Sequence, residues 1–131
     1  MKLILESNFA SHYRTSIYRL MDEELKCDFC FGDKVADIKK MDYSLLQGKV
    51  REVHNINFKG IEYQCGVLRL LRQDYDTYIL YSGTHCVSSW FFLILRKLFY
   101  PQKRVYAWSH GLLGKEKGLT LWLYKMLFSN C

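Results

Sequence analysis

A β-type run that ends in a histidine and a glycine is the strongest chemical signal in the sequence. Val105 to Trp108 is largely apolar, and Ser109, His110 and Gly111 follow it directly, before a new helical pattern begins. In open parallel sheets, ligands bind beyond the carboxyl ends of the strands. An imidazole at such a place titrates near neutral pH and can exchange a hydrogen bond or a proton with a substrate hydroxyl. The position indicates a catalytic His110, with a capping or core histidine as an equal alternative.

A second polar turn, Ser82-Gly83-Thr84-His85, also follows a predicted strand and precedes a predicted helix. Its backbone N–H groups could hold an anion or a sugar hydroxyl at the start of that helix. A tight turn at Gly83 with Thr84 as the helix cap is the simpler interpretation, and the residue types favour it. Both interpretations stay open at this point.

Nucleotide-binding motifs are absent after the first predicted strand. The stretch from Glu6 to Tyr13 contains no glycine, whereas the dinucleotide fingerprint and the P-loop both need glycines where backbone approaches phosphate. We therefore expect no NAD, FAD or ATP site on this chain, and no cofactor. Cys27 and Cys30 form a C-x-x-C pair, but residues three apart in a strand point to opposite faces. Free, buried thiols in a reducing compartment are expected, with no metal site.

The composition predicts one globular domain with anionic partners. The chain has 131 residues, 50% of them hydrophobic and 16% aromatic, which is more than a disordered chain carries. The formal net charge of +6 favours anionic partners in general, although a solvated basic surface explains it equally well. The longest apolar run, Trp90 to Leu95, is far shorter than the roughly 20 residues of a membrane-spanning helix. We predict a cytoplasmic protein that can associate peripherally with the inner face of the cell membrane.

Short apolar runs alternate with longer helical patterns along most of the chain. Strands are predicted at Lys2 to Glu6, Asp28 to Gly32, Val50 to Phe58, Tyr78 to Tyr81 and Val105 to Trp108. Helices are predicted at Ser11 to Leu25, Asp37 to Leu46, Ile61 to Arg72, Val87 to Tyr100 and Gly118 to Ser129. This alternation is typical of parallel strands joined by right-handed helical crossovers. We therefore predict an α/β fold, a Rossmann-like three-layer sandwich with a mainly parallel sheet of about five strands and helices on both faces. The core face of the first helix is predicted to carry Tyr13, Ile17, Leu20, Met21 and Leu25.

Three stretches carry a resemblance to a known family: Phe9-Ala-Ser-His-Tyr-Arg14, Tyr81-Ser-Gly-Thr84, and Ala107-Trp-Ser-His-Gly111 with the Leu-Leu-Gly-Lys-Glu116 that follows. Together with the order of the predicted strands and helices, these stretches resemble the N-terminal half of group 1 glycosyltransferases, which are retaining enzymes of the GT-B architecture. The resemblance covers nearly the whole of residues 1–131. It implies that His110 lies against the donor sugar, that Gly111 permits close approach, and that Gly83 and Thr84 line the opposite wall. Ser109 and Asn8 complete the implied substrate-binding set, and Asn8 lies where many members of the family have a glycine-rich loop.

The resemblance also implies partners. In that family a C-terminal domain holds the nucleotide sugar across a cleft, and the present sequence lacks it, so we expect a truncated enzyme that is inactive alone. The chain would present a saccharide or lipid-linked acceptor in bacterial surface polysaccharide assembly, with no nucleic-acid partner. Arg96, Lys97, Lys103 and Arg104 suit an anionic membrane surface. The alternative is a non-catalytic, flavodoxin-like module that binds a small ligand or a partner protein.

Overall fold

One sheet organises the described part of the chain. The computed structural model describes residues 2–33, 38–81 and 85–108, together with Trp122 and Lys125. The strands are β1 (Leu3–Ser7), β2 (Asp28–Gly32), β3 (Val50–Phe58), β4 (Ile61–Cys65), β5 (Thr77–Tyr81) and β6 (Arg104–Trp108). The α-helices are α1 (Thr15–Leu25) and α2 (Val87–Phe99), and short 3₁₀ helices span His12–Arg14, Tyr43–Leu45 and Val67–Arg72.

The strands lie in the order β4-β3-β2-β1-β5-β6. Every neighbouring pair is parallel except β3 with β4, which is antiparallel. β1 is central, and all five of its residues are buried, as expected for a strand covered on both faces. The sheet curls into a half-barrel. At its edge, β4 reaches the start of α2, where Glu62 forms a parallel bridge with Cys86.

Alternate residues of β1 enter two hydrophobic clusters, one on each face of the sheet. The cluster that contains α2 and the third 3₁₀ helix includes Ile4, Leu70, Tyr78, Leu80 and Phe92. The cluster that contains α1 includes Leu5, Ala10, Tyr18, Phe29 and Phe31. Cys27 and Cys30 are free and buried, and they belong to opposite clusters. Burial raises the pKa of the Cys30 thiol to about 12, which keeps it protonated and unreactive.

The predicted three-layer sandwich is wrong. The sheet has six strands and an antiparallel pair, and it curls into a half-barrel with few helices, so it is not a helix-flanked Rossmann layer. Two of the predicted helices account for the error. The described part of Asp37 to Leu46 contains only a 3₁₀ turn, and Ile61 to Arg72 is strand β4 followed by a 3₁₀ helix. The predicted last helix is described only at Trp122 and Lys125, which are both helical.

A tight turn at Lys59 and Gly60 explains why residue 61 begins a strand. Their φ angles are 51° and 82°, and two positive φ values are what a two-residue type I′ hairpin turn requires. The turn places Phe58 opposite Ile61 and so commits the following residues to pairing with β3. Gly66, with φ of 101°, then ends the hairpin and precedes the 3₁₀ helix.

The first helix forms where it is predicted, but a different face enters the core. Four of the five residues expected to be buried are exposed, namely Tyr13, Ile17, Leu20 and Leu25. Tyr18 and Asp22 are buried instead. Asp22 accepts hydrogen bonds from the backbone N–H groups of Gln47 at 2.7 Å and Gly48 at 2.9 Å. This buried carboxylate fixes the loop that leads into β3, because charge-assisted hydrogen bonds are stronger than neutral ones.

The second α-helix forms over nearly the whole of its predicted range. It covers 13 residues from Val87 to Phe99, about 20 Å at the usual rise. Phe92 and Leu93 face the sheet and are buried. Within the described ranges, no helix has both the length and the apolar character needed to cross a membrane.

Candidate functional site

The strand ends expected to carry the site lie side by side. β1, β5 and β6 are parallel neighbours, so their carboxyl ends share one edge of the sheet. Tyr81 pairs with Trp108, and these residues immediately precede Ser82 and Ser109 in the sequence. Most of the predicted site lies outside the described residues: Gly83, Thr84, Ser109, His110 and Gly111. Their roles stay predictions, and Asn8 is the predicted substrate-binding residue that can be placed.

Asn8 is anchored by a network that joins the ends of β1, β2 and β3. Its backbone carbonyl accepts a hydrogen bond from Asn55 Nδ2 at 2.7 Å. Gly32 fits beside them only because it lacks a side chain, since a Cβ there would collide with the Asn8 carbonyl and the Asn55 amide. The Asp33 carboxylate accepts the Asn55 backbone N–H at 2.9 Å and contacts His54 Nδ1 at 2.8 Å. These contacts, the Asn55 hydrogen bond first, hold the pKa of Asp33 below its usual value.

A second group of polar side chains lies where the β3–β4 hairpin meets the carboxyl end of β1. We call it the edge cluster and define it as Glu6, Glu62, Gln64 and His85. Gln64 joins three elements: its Nε2 donates to the Ser7 carbonyl at 3.2 Å, and its backbone N–H donates to Ser88 Oγ at 3.1 Å. Both contacts are buried, so they hold β4 against β1 and the first turn of α2.

Glu6 is a buried carboxyl in the central strand and is only 1% exposed. Burial raises its pKa from the usual 4.5 to about 8, because a charged carboxylate is poorly solvated there. Hydrogen bonds from the Tyr81 backbone N–H, at 3.2 Å, and from the Gln64 side chain oppose this shift, and the charge of Glu62 adds to it. Oε1 of Glu6 has no hydrogen-bond partner among the described residues. Glu6 therefore keeps its proton at neutral pH and has an unused oxygen.

Glu62 and His85 form the other half of the edge cluster. Glu62 is 5% exposed, and its Oε2 lies 3.5 Å from His85 Nε2. The same imidazole nitrogen lies 3.3 Å from the Tyr81 hydroxyl. Contact with Glu62 raises the pKa of His85, because the carboxylate stabilises the charged imidazole. Oε1 of Glu62, like that of Glu6, has no partner in the described part of the chain.

The edge cluster combines a hydrogen-bond donor, an acceptor and a proton carrier. Protonated Glu6 can donate a hydrogen bond, Glu62 has an oxygen that can accept one, and half-exposed His85 connects the pair to solvent. Within the described ranges, no three His, Cys, Asp or Glu side chains are grouped to hold a metal ion. The arrangement suits a ligand that is rich in hydroxyl groups, because a hydroxyl can both donate and accept.

Sequence reasoning missed most of the edge cluster. It placed Glu62 and Gln64 on a helix, and it considered His85 only as the last residue of a polar turn. Glu6 was visible as a polar residue at the end of an apolar strand. The available signal for the others was the alternation from Ile61 to Cys65, which puts Glu62 and Gln64 on one face of a strand.

The basic residues predicted to meet a membrane do not form one outward surface. Lys103 Nζ donates to the Gln73 carbonyl at 2.8 Å and to the Tyr78 hydroxyl at 3.1 Å, and burial lowers its pKa. Arg96 Nε donates to the Lys103 carbonyl at 2.8 Å. Arg96 thus ties α2 to the turn before β6, and Lys103 ties that turn to Gln73 and to β5. Of the four predicted residues, Lys97 and Arg104 are the exposed ones.

Comparisons of the chain with protein-family models, with curated proteins and with solved structures find no match. The resemblance to group 1 glycosyltransferases therefore stays a prediction from the sequence.

Proposed function

We propose that this chain forms the acceptor side of a sugar-transfer site. It would present a hydroxyl of a saccharide or lipid-linked acceptor to a nucleotide sugar held by another domain. The edge cluster carries the proposal, because buried carboxyl groups with unused oxygens lie at the edge where parallel sheets bind ligands.

A sugar hydroxyl complements the edge cluster because it can donate and accept hydrogen bonds at once. Protonated Glu6 would donate to such a hydroxyl, and Glu62 would accept from one. A buried polar group without a partner costs about 1–3 kcal/mol, so a ligand hydroxyl relieves that cost at Oε1 of each residue. A site of this kind also rejects analogues that lack the hydroxyl, since their binding leaves the buried groups unpaired.

The resemblance supplies the donor side of the proposal. His110 would support the donor sugar while charge develops at the anomeric carbon, with Ser109 and Gly111 beside it. Gly83 and Thr84 would lie opposite, after β5. Because the nucleotide sugar would be held by another domain, the chain alone should transfer no sugar from a panel of radiolabelled nucleotide sugars in the presence of membrane extract. Turnover above a buffer blank would contradict the two-domain arrangement.

Binding of neutral oligosaccharides to the chain tests the acceptor side directly. Titration followed by NMR should shift the backbone amides of Glu6, Asn8 and Tyr81 for at least one saccharide. Glu62→Gln keeps the shape but weakens the acceptor, and we expect it to raise the dissociation constant about tenfold or more, as for a lost hydrogen bond to a charged group. Glu24→Gln, on the exposed surface of α1, is the matched control and should bind as the wild type does.

Two results would contradict the proposal. One is the absence of binding by every saccharide at millimolar concentration. The other is a set of shifts confined to residues away from the carboxyl ends of β1, β5 and β6. Binding of a flavin at the same edge, with no saccharide binding, would instead support the non-catalytic module.

A further inference from the structure

A groove between the 3₁₀ helix at Val67–Arg72 and the end of α2 is separate from the edge cluster. We call it the arginine groove; its volume is about 450 Å³, and its lining is Leu68, Arg69, Leu71, Arg72, Leu95, Phe99 and Tyr100. The two helical segments precede β5 and β6 in the chain, so the groove lies toward the amino ends of those strands. The edge cluster lies toward their carboxyl ends. A ligand in the groove would therefore leave the edge cluster open.

The outward face of α2 continues the apolar surface of the groove. Phe91, Ile94 and Leu98 are 47%, 50% and 67% exposed, and their spacing places them in one stripe along the helix. Phe99, which lines the groove, is 66% exposed. A contiguous apolar surface of this kind marks an interaction site, whereas single exposed hydrophobic residues do not.

The charged side chains around this surface are basic. Among the described residues, Arg69 and Arg72 form no ion pair with any carboxylate. α2 contains no acidic residue and has Arg96 and Lys97 in its last turn. The exposed apolar side of α1 differs, because the last turn of that helix carries exposed Glu23 and Glu24. Charge complementarity therefore selects α2 rather than α1 as the face for an anionic partner.

We propose that the arginine groove and the outward face of α2 bind the surface of an anionic phospholipid bilayer. An acyl chain lies along Leu68, Leu71 and Phe99, and the lipid phosphate lies between Arg69 and Arg72, whose planar guanidinium groups match its geometry. α2 lies in the plane of the interface with its apolar stripe toward the acyl chains. This membrane site does not depend on the proposed sugar transfer. Its principal basic contacts are Arg69 and Arg72, and not Arg96 and Lys103.

Co-sedimentation of the chain with vesicles tests the site. We expect binding to phosphatidylcholine vesicles that contain phosphatidylglycerol, and at least tenfold weaker binding to pure phosphatidylcholine. Arg69→Gln with Arg72→Gln should weaken binding about 30-fold, since each basic residue at an anionic surface contributes about fivefold. Ile94→Ser with Leu98→Ser should weaken it about tenfold or more through the lost apolar contact. All four side chains are outside the buried core, so thermal melting should show folded variants.

Matched pairs on α1 and at Lys26, the residue that caps its C-terminus, control for charge and for hydrophobicity. Arg19→Gln with Lys26→Gln removes the same charge, and Ile17→Ser with Leu20→Ser removes similar exposed apolar area; both pairs should bind vesicles as the wild type does. Equal losses in the α1 and groove variants would overturn the site, as would equal binding to neutral vesicles. A third result would show a phosphate site and not a bilayer site. In that case millimolar inorganic phosphate, at constant ionic strength, displaces the protein from vesicles, and the Ile94 and Leu98 substitutions leave vesicle binding unchanged.

Discussion

Replacing Glu6 by glutamine should flatten the pH dependence of stability. The Glu6 carboxyl has an ordinary pKa of 4.5 when the chain is unfolded and a pKa of about 8 in the native protein. Between these pH values the native state holds a proton that the unfolded state has released, so the free energy of unfolding falls as pH rises. Below pH 4.5 both states are protonated, and above pH 8 both are ionised, so the effect is confined to that window.

The expected magnitude is large for a single side chain. Stability falls by about 1.4 kcal/mol for each pH unit in which only the native state holds the proton. From pH 4.5 to pH 8 this gives a loss of about 5 kcal/mol, compared with the roughly 5–15 kcal/mol of a typical domain. Glutamine keeps an oxygen that can accept the Tyr81 N–H bond, and it carries no charge at any pH. Any fixed penalty from its amide group is the same at every pH, so the slope is the decisive quantity.

Urea unfolding at several pH values between 4 and 8.5 measures this slope. The difference in free energy of unfolding between Glu6→Gln and wild type should grow with pH by about 5 kcal/mol across the window. Glu24→Gln, which removes an exposed carboxyl from α1, should run parallel to wild type. Parallel curves for Glu6→Gln and wild type would mean that Glu6 ionises freely in the native state. That result would refute both the burial argument and the donor role of Glu6 in the edge cluster.

Two further substitutions separate structural polar groups from surface ones. Asp22→Ala should lower the free energy of unfolding, measured in urea, by about 3 kcal/mol, because the backbone N–H groups of Gln47 and Gly48 lose their acceptor. The control Glu23→Ala should change this free energy little. Equal losses in the two variants would contradict the structural role of Asp22. Lys103→Gln should lower the melting temperature, since the Gln73 carbonyl loses its donor, while vesicle binding stays within about twofold of wild type. If Lys103→Gln binds vesicles more weakly than wild type and its melting temperature does not change, then Lys103 contacts the membrane and does not have this structural role.

The strands were more predictable than the connections between them. β2 and β3 have their predicted bounds, because runs of alternating or continuous apolar residues fit strands of that length. The sequence predicts a helix at Ile61 to Arg72, and this prediction is wrong. Over so few residues, the spacing of the apolar side chains fits both the period of a helix and the period of a strand. The deciding features are the positive φ angles at Lys59, Gly60 and Gly66, which only the folded backbone shows. The curl of the sheet goes with contacts between residues far apart in the sequence, such as Glu62 with Cys86. The order of strands and helices along the chain does not indicate such contacts.

The sequence predicts a site at the carboxyl edge of the sheet, but it does not indicate the residues of the edge cluster. Sequence patterns assume that polar side chains face water, and this assumption fails on two elements. Glu62 and Gln64 face inward on β4 while Ile61 is exposed, and Asp22 is buried on α1 while Leu20 is exposed. A buried polar side chain is stable where a distant group completes its hydrogen bonds. Gln64 depends in this way on Ser7, 57 residues away, so local pattern could not reveal it.

Asp22 and the two buried glutamates differ in how the fold satisfies their carboxyl oxygens. Both carboxylate oxygens of Asp22 accept backbone N–H groups, so its burial is explained by the fold alone. Glu6 and Glu62 each retain an oxygen without a partner in the described part of the chain, and burial raises the pKa of Glu6 at a cost in stability at neutral pH. An apolar residue at position 6 would avoid that cost. In the proposed function, a saccharide hydroxyl at this edge of the sheet would supply the hydrogen bonds that these two oxygens lack among the described residues.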